Sequence, residues 1–382
     1  MSALAARFAE RPRTIGLVYG HPFDLGGAEA HVLSLMSRAD PTRWRWRVLA
    51  ATSEPFAARA AAAGAAIEPW IPRHALDRKA LFALVEAGRR APLDLLHVHD
   101  ARALVLARMA GTRLGLPVVY TVHLPVAGGN GNGSGPRSHL YGAAERLILR
   151  LAPPERVVHV SARALARSRG ADDGRCVLIP NGIDLARRAS PGARERLRAG
   201  MGVPSSVCVV TSVARLAAQK GLDVLLAALA DVPADDIRVW LAGEGPERPA
   251  LEACAARLGL AARVSFLGRR DDVPDLLDAT DVFVLPSRRE TSPIALLEAM
   301  AAGRACVATD VGDCGTMLDG GRAGRVVAPG DARGLAAALG ELATDGALRA
   351  RLGEAARHRA RLFSDTAMAA RTTALYDSLL TR

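Results

Sequence analysis

Two doubly wound α/β lobes facing each other across a cleft are the fold class this sequence predicts, and three observations point to it. Short β-rich runs alternate with Ala/Leu/Arg-rich helical stretches nearly from end to end, the rhythm of parallel sheets covered by helices on both faces. The runs fall into two sets, separated by the irregular passage IPNGIDLARRASPGARERLRAGMGVPSS (179–206) with its Asn-Gly turn, prolines and little β-character, where a domain junction is expected. The chain of 382 residues is also longer than one ordinary domain at about 150 residues each.

The first set of strands is IGLVY (15–19), WRVLAAT (46–52), LLHVH (95–99), PVVYTVH (117–123) and VVHVS (157–161). The second is CVVTSV (208–213), RVWLAG (238–243), RVSFLG (263–268), DVFVLPS (281–287), ACVATD (305–310) and GRVVAP (324–329). In Arg43, Trp44, Arg45, Trp46 and Arg47 the period of two sends indoles and guanidiniums to opposite faces, which reads as a core strand with a solvated side. The glycine-rich GGNGNGSGPRS (128–138) reads either as a plain surface connection or as a lid over a substrate. Ligands of such sheets bind beyond the carboxyl ends of the strands.

Composition narrows the function. Half of the residues are hydrophobic and 23% are charged, yet no window approaches the roughly 20 unbroken apolar residues of a membrane helix. MSALAARFAERPR at the N-terminus lacks a long apolar stretch and carries Glu10, which predicts a cytoplasmic protein without a secretory signal. Five scattered cysteines, never in CxxC, argue against a zinc or disulfide framework. The net charge of +11 favours anionic partners. The surplus is almost all arginine, Lys79 and Lys220 being the only lysines. Basic residues are dispersed and aromatics reach only 4%, a poor match for nucleic acid.

Candidate chemistry gathers at the ends of the second set of strands. In ETSPIALLEAM (290–300), Thr291 or Ser292 suits a helix cap and Pro293 the first helical turn. Glu290 then lies at the helix mouth, with Glu298 about 7–8 Å up the axis. Carboxylates so staggered accept from hydroxyls of an elongated polyol, and free N–H groups between them suit a phosphate. The plain alternative is one capping acid and one solvated acid. ARLAAQKG (214–221) frames a loop with Arg215 and Lys220, two cations able to neutralise a diphosphate. Gly243 and Gly245 of LAGEGPE let backbone approach a ligand. In the first set, Gly26 and Gly27 precede a helix and build a further N–H cradle. Neither GxGxxG nor a Walker loop is present. His123 ends a strand at the cleft edge, while His97 and His99 share one strand face but show no third metal ligand. No DxD pair occurs, so no clamp for a catalytic divalent ion is expected.

Taken together, GGAEAHVLSL (26–35), LLHVHDARA (95–103), VVYTVH (118–123), VVHVSA (157–162), IPNGID (179–184), ARLAAQKG, LAGEGPE, FLG (266–268), ETSPIALLEAMAAG (290–303), CVATDVG (306–312) and VVAPGDARGLAAAL (326–339) resemble the family-4 retaining glycosyltransferases. The resemblance runs through nearly the whole chain and implies a GT-B fold: an acceptor-side lobe over 1–183, a nucleotide-sugar lobe over 184–363 and a last helix over 364–382 that crosses back to the first lobe. It implies transfer of a hexose from a UDP- or GDP-linked donor to a hydroxyl of a glycan, lipid carrier or small molecule. No metal or other cofactor is implied. Peripheral contact with the cytoplasmic face of the inner membrane is a further implication, because acceptors in the family are often lipid-linked.

By position, the catalytic residues implied are His123, Arg215, Lys220 and Glu290. Donor binding falls to Gly26, Gly27, Gly243, Gly245, Leu267, Gly268, Glu290, Thr291, Ser292, Pro293, Ile294 and Glu298. The resemblance gives Glu290 the sugar hydroxyls, Glu298 the ribose and FLGRR (266–270) the nucleobase. Two departures stand out. Glu-Thr-Ser-Pro replaces the family's frequent Glu-Gly-Phe-Gly, and Asp313-Cys314-Gly315-Thr316 replaces Gly-x-Pro-Glu. A same-fold sugar-nucleotide 2-epimerase and a non-catalytic nucleotide-sugar-binding protein are the alternatives.

Overall fold

The computed structural model describes residues 11–22, 26–123, 136–168, 174–232 and 237–381, without the side chains of 136–141 and 144. The first lobe runs β1 (Arg13–Val18), α1 (Gly27–Arg38), β2 (Trp44–Leu49), α2 (Glu54–Ala62), β3 (Ala65–Glu68), α3 (Arg78–Arg90), β4 (Leu95–Val98), α4 (Ala101–Leu114), β5 (Val118–Val122), α5 (Pro136–Leu151), β6 (Arg156–His159), α6 (Ala162–Ala166) and β7 (Cys176–Leu178). The chain continues through α7 (Ala193–Gly200), β8 (Cys208–Val213), α8 (Leu222–Ala230), β9 (Ile237–Ala242), α9 (Arg248–Arg257), β10 (Val264–Gly268), α10 (Val273–Ala279), β11 (Val282–Leu285), α11 (Ile294–Ala301), β12 (Ala305–Thr309), α12 (Cys314–Met317), β13 (Arg325–Val327), α13 (Ala332–Thr344), α14 (Gly346–Ala360) and α15 (Asp365–Leu380).

Each lobe is one parallel sheet, ordered β3-β2-β1-β4-β5-β6-β7 in the first and β10-β9-β8-β11-β12-β13 in the second. The order reverses beside β1 and again beside β8, and crevices at such switch points receive ligands. These two Rossmann-like lobes are the fold class read from the sequence. β3 and β7 were not foreseen. AAIE and CVL are short edge strands with half-exposed side chains, so neither shows a sustained apolar run.

Trp44 and Trp46 enter the core at 3% exposure each while Arg45 stays outside, as period two requires. They pack with Ile15, Leu17 and Val48 against Met368 and Tyr376 of α15, so the last helix closes the first lobe. Chain continuity between lobes is fixed at one point. Ile183 bridges Ser364, Ile183 N–H donates to Phe363 O at 2.9 Å and Asp365 N–H donates to Ile183 O at 3.0 Å. A Cβ on Gly182 would lie 2.5 Å from Asp365 Cα, so only glycine lets these two strands of chain cross. All five cysteines are free thiols, and burial pushes Cys208 up to about 12.

Candidate active site

At the carboxyl edge of the second sheet, neighbouring loops are stitched into one rim. Ala214 N–H donates to Ala242 O at 3.0 Å, Leu216 N–H to Glu244 O at 2.9 Å and Gly243 N–H to Gly268 O at 2.7 Å. On the other side Arg288 N–H donates to Gln219 O at 2.8 Å, and Asp313 N–H to Thr291 O at 2.8 Å. Gly243 and Gly245 serve this stitching. A Cβ on Gly243, at φ +140°, would lie 1.9 Å from Ala214 O, and one on Gly245 would lie 2.2 Å from Leu216 O. On the Cβ side, the close approach that these glycines allow is toward the adjoining loop. Leu267 and Gly268 stand half-buried at the end of β10, Gly268 at φ +66°.

The adjacency of β8 and β11 brings together two residues 70 apart in sequence. Lys220 Nζ donates to Glu290 Oε1 at 2.6 Å, and Ser287 Oγ donates to the same oxygen at 2.7 Å. Their side chains are 18% and 10% exposed, so the pair is largely enclosed. Arg215 is exposed and pairs with no carboxylate among the described residues. Within the loop of residues 214–221, Lys220 is therefore neutralised and Arg215 is not.

The helix mouth differs from the sequence expectation. Pro293 is the residue preceding α11 rather than part of its first turn, at φ −72°, ψ 116°, and no side chain caps the helix. Thr291 and Ser292 point their hydroxyls inward instead. Both are buried and neither Oγ has a hydrogen-bond partner, an unusual state for interior hydroxyls. Ile294 opens the helix, half-buried. Glu298, one turn on, lies 3.6 Å from the Arg187 guanidinium and lines a cavity of about 870 Å³ between the lobes with Arg38, Arg59 and Ile183. Burial raises its carboxyl above the ordinary range, and Arg187 offsets part of that rise.

In the first lobe the ends of β4 and β5 and the start of α1 converge on a nest of imidazoles. His99 Nδ1 and His123 Nε2 lie 3.0 Å apart, and the His31 and His123 rings meet at 4.9 Å between centroids. His97 is occupied elsewhere, by Tyr376 Oη at 2.5 Å and Thr121 Oγ1 at 2.7 Å. Burial pulls all four below the ordinary range, His31 to about 4. The expectation that His97 and His99 lack a third ligand partner is corrected here: His99 is joined by His31 and His123, and His97 is not part of the group. Gly26 and Gly27 remain exposed at the start of α1, Gly26 against the Glu29 carboxylate.

Two polar chains link the lobes. His31 Nδ1–H donates to Asn181 Oδ1 at 3.0 Å, and Asn181 Nδ2 donates to Ser292 O at 2.7 Å, tying the imidazole nest to the rim. Asp313 Oδ1 accepts from Ser161 Oγ at 2.7 Å and Oδ2 from Ala162 N–H at 2.8 Å, while Arg163 pairs with Asp310 at 2.8 Å. His31, Asn181, Ser161 and Asp313 escaped the sequence reading as site residues. Asp313 left a signal, its departure from the Gly-x-Pro-Glu pattern.

The profile described as "Glycosyltransferase Family 4" matches residues 25–187, and "Glycosyl transferases group 1" matches residues 207–345. The D-inositol 3-phosphate glycosyltransferase 2 of Catenulispora acidiphila is 31% identical over 307 residues, covering 74% of this chain and 70% of that protein. The chain belongs to glycosyltransferase family 4. The D-inositol 3-phosphate glycosyltransferase of Rhodococcus opacus is 33% identical over 295 residues, and the match spans 72% of this chain but only 66% of the Rhodococcus protein.

The family-4 architecture extends to solved structures. Anabaena HepE, crystallised with UDP-glucose, superposes with a TM-score of 0.82 at 24% identity, covering 95% of this chain and 99% of HepE. Sucrose-phosphate synthase of Thermosynechococcus elongatus superposes with a TM-score of 0.78 at 24% identity, over 97% and 99% of the two chains. At such identities the likeness speaks for the GT-B fold. No helix among the described residues is long and apolar enough to cross a membrane.

Proposed function

We propose that this family-4 chain transfers a hexose from a nucleotide-diphosphate sugar, UDP- or GDP-linked, to a hydroxyl of a glycan, a lipid-linked carrier or a small molecule, with retention of configuration. The observation that carries the reading is the rim of the second lobe, where Arg215 stands unpaired beside the Lys220–Glu290 pair. Loss of the nucleoside diphosphate builds negative charge on the leaving phosphate, and cations fixed in advance lower that barrier without reorganising. Arg215 and Lys220 take this role, and the reaction needs no divalent ion to take it. Glu290, held by Lys220 and Ser287, presents its remaining acceptor capacity to sugar hydroxyls.

His123 lies across the cleft on the acceptor-side lobe and orients the reacting ring. Glu298 serves the ribose hydroxyls, and its raised carboxyl is compatible with either donating or accepting. Two carboxylates acting as an acid/base pair would mark a hydrolase. Here one of them is committed to a lysine, which favours transfer in which the leaving phosphate itself helps to deprotonate the acceptor. Closure over the donor keeps water out.

The relatives favour saccharide or inositol-phosphate acceptors by their names, which include the lipopolysaccharide core glycosyltransferase LpsE of Rhizobium meliloti at 37% identity over 157 residues. The test is nucleotide release from UDP- and GDP-hexoses with and without acceptor, with the product anomer read by NMR. Acceptor-dependent release and a retained anomer are expected. Release without any acceptor favours the epimerase, and donor binding with no release favours a silent binding protein.

A further inference from the structure

We propose that His31, His99 and His123 form a binding site for one divalent transition-metal ion such as zinc. One nitrogen from each residue lies within 4.8 Å of the other two. Zinc held by three imidazoles at about 2.0–2.1 Å sets its nitrogens roughly 3.4 Å apart. His99 Nδ1 and His123 Nε2 are already at 3.0 Å, so loading needs only a small approach of the third ring.

The third ring is prepared for ligation. Asn181 Nδ2 donates to Ser292 O, which fixes its Oδ1 toward His31. A carbonyl oxygen only accepts, so His31 Nδ1 carries the hydrogen and Nε2 holds a bare lone pair. That Nε2 is buried and has no partner. An outer hydrogen bond of this kind is how metal-binding histidines are held in tautomer and orientation. His99 Nε2 is also buried and unpartnered, the residue being 2% exposed, and with Nδ1 as the ligand it carries the ring's hydrogen. A buried lone pair without a partner, as on His31 Nε2, is costly to leave so, and a metal engages it.

Imidazole suits zinc, copper, nickel and iron, whereas calcium and magnesium prefer oxygen. Burial keeps these rings neutral, as ligation requires. His123 is half-exposed at the cleft, which leaves a fourth position for water. Loading would occupy the imidazole offered to the donor and so inhibit transfer. That consequence rests on the proposed function, whereas binding itself does not.

The experiment is a titration of EDTA-treated, tag-free full-length protein with Co(II), read in the visible spectrum, and with Zn(II), read by calorimetry. One Co(II) per chain, with the intense d–d bands of a four-coordinate site that zinc then displaces, is expected. His31→Ala should abolish the bands and His97→Asn should keep them. Should His31→Ala fail to fold by circular dichroism, His99→Gln replaces it. Absence of Co(II) and Zn(II) binding by folded wild-type protein, or unchanged bands in a folded ligand variant, overturns the proposal whether or not the protein transfers sugar.

Discussion

Replacing Lys220 by Met tests whether the rim is built as the structure shows. The ammonium sits 2.6 Å from Glu290 Oε1 with both side chains largely enclosed. Removing one member of a fully buried pair costs about 3–5 kcal/mol, whereas an exposed pair contributes about 0.2–1 kcal/mol. This pair lies between those limits. Ser287 Oγ still donates to the stranded carboxylate at 2.7 Å, so a loss of about 2 kcal/mol is expected. For a lobe of this size that lowers the melting temperature by roughly 4–8 °C. Met keeps most of the apolar stem, so lost packing contributes little.

The assay is scanning calorimetry of wild type, Lys220→Met, Glu290→Gln and the double variant, following the transition of the second lobe. The double variant should lose at least about 1 kcal/mol less than the sum of the singles, because neither partner is left charged and alone. Additive losses would show that the two groups do not meet in solution, and the arrangement of the rim would have to be abandoned.

Three further outcomes are expected. In Asp281, burial alone would raise the carboxyl, but the hydrogen bond from Val209 N–H and the Arg194 and Arg198 guanidiniums outweigh it and hold the group below its ordinary range. Its stabilisation is therefore present above the unfolded value of about 4 and lost as pH falls below it. Asp281→Asn should accordingly cost more in urea unfolding at pH 7 than at pH 3, and an equal cost at both would refute the linkage. Gly243→Ala, which puts a Cβ 1.9 Å from Ala214 O at φ +140°, should destabilise the second lobe by more than about 3 kcal/mol. A near-neutral result would show that the two loops are not packed this way. Asp313→Ala removes the acceptor shared by Ser161 and Ala162 across the cleft, and the radius of gyration from X-ray scattering should rise as the lobes separate; an unchanged value counts against the link.

The second sheet was legible in sequence because its strands are continuous apolar runs such as DVFVLPS and ACVATD, buried on both faces as parallel sheets demand. β3 and β7 were not, since AAIE and CVL lie at the sheet edge, too short and too exposed to carry a period. At the site, Lys220 and Glu290 were each visible on a loop after a strand, but their pairing follows from the neighbouring of β8 and β11, which chain order does not reveal. Gly243 and Gly245 were singled out for a ligand's approach, while the contact that demands glycine in the structure is with the neighbouring loop, and the two demands look the same in sequence. His31 sits on an ordinary helix and acquires its role only when β4 and β5 bring His99 and His123 to it. The glycine-rich stretch considered as a lid lies, over 128–135, outside the described residues.

Calorimetric titration of UDP and GDP into wild type and Arg215→Gln reads the diphosphate site itself. The Arg215 side chain is exposed and has no hydrogen-bond or ion-pair partner among the described residues, so its replacement should leave the melting temperature unchanged. Wild type should bind at least one of the two nucleotides, and the variant should bind it at least about tenfold more weakly, a loss of about 1.4 kcal/mol. No binding to folded wild type, or equal binding by the variant, would contradict a diphosphate site on this rim.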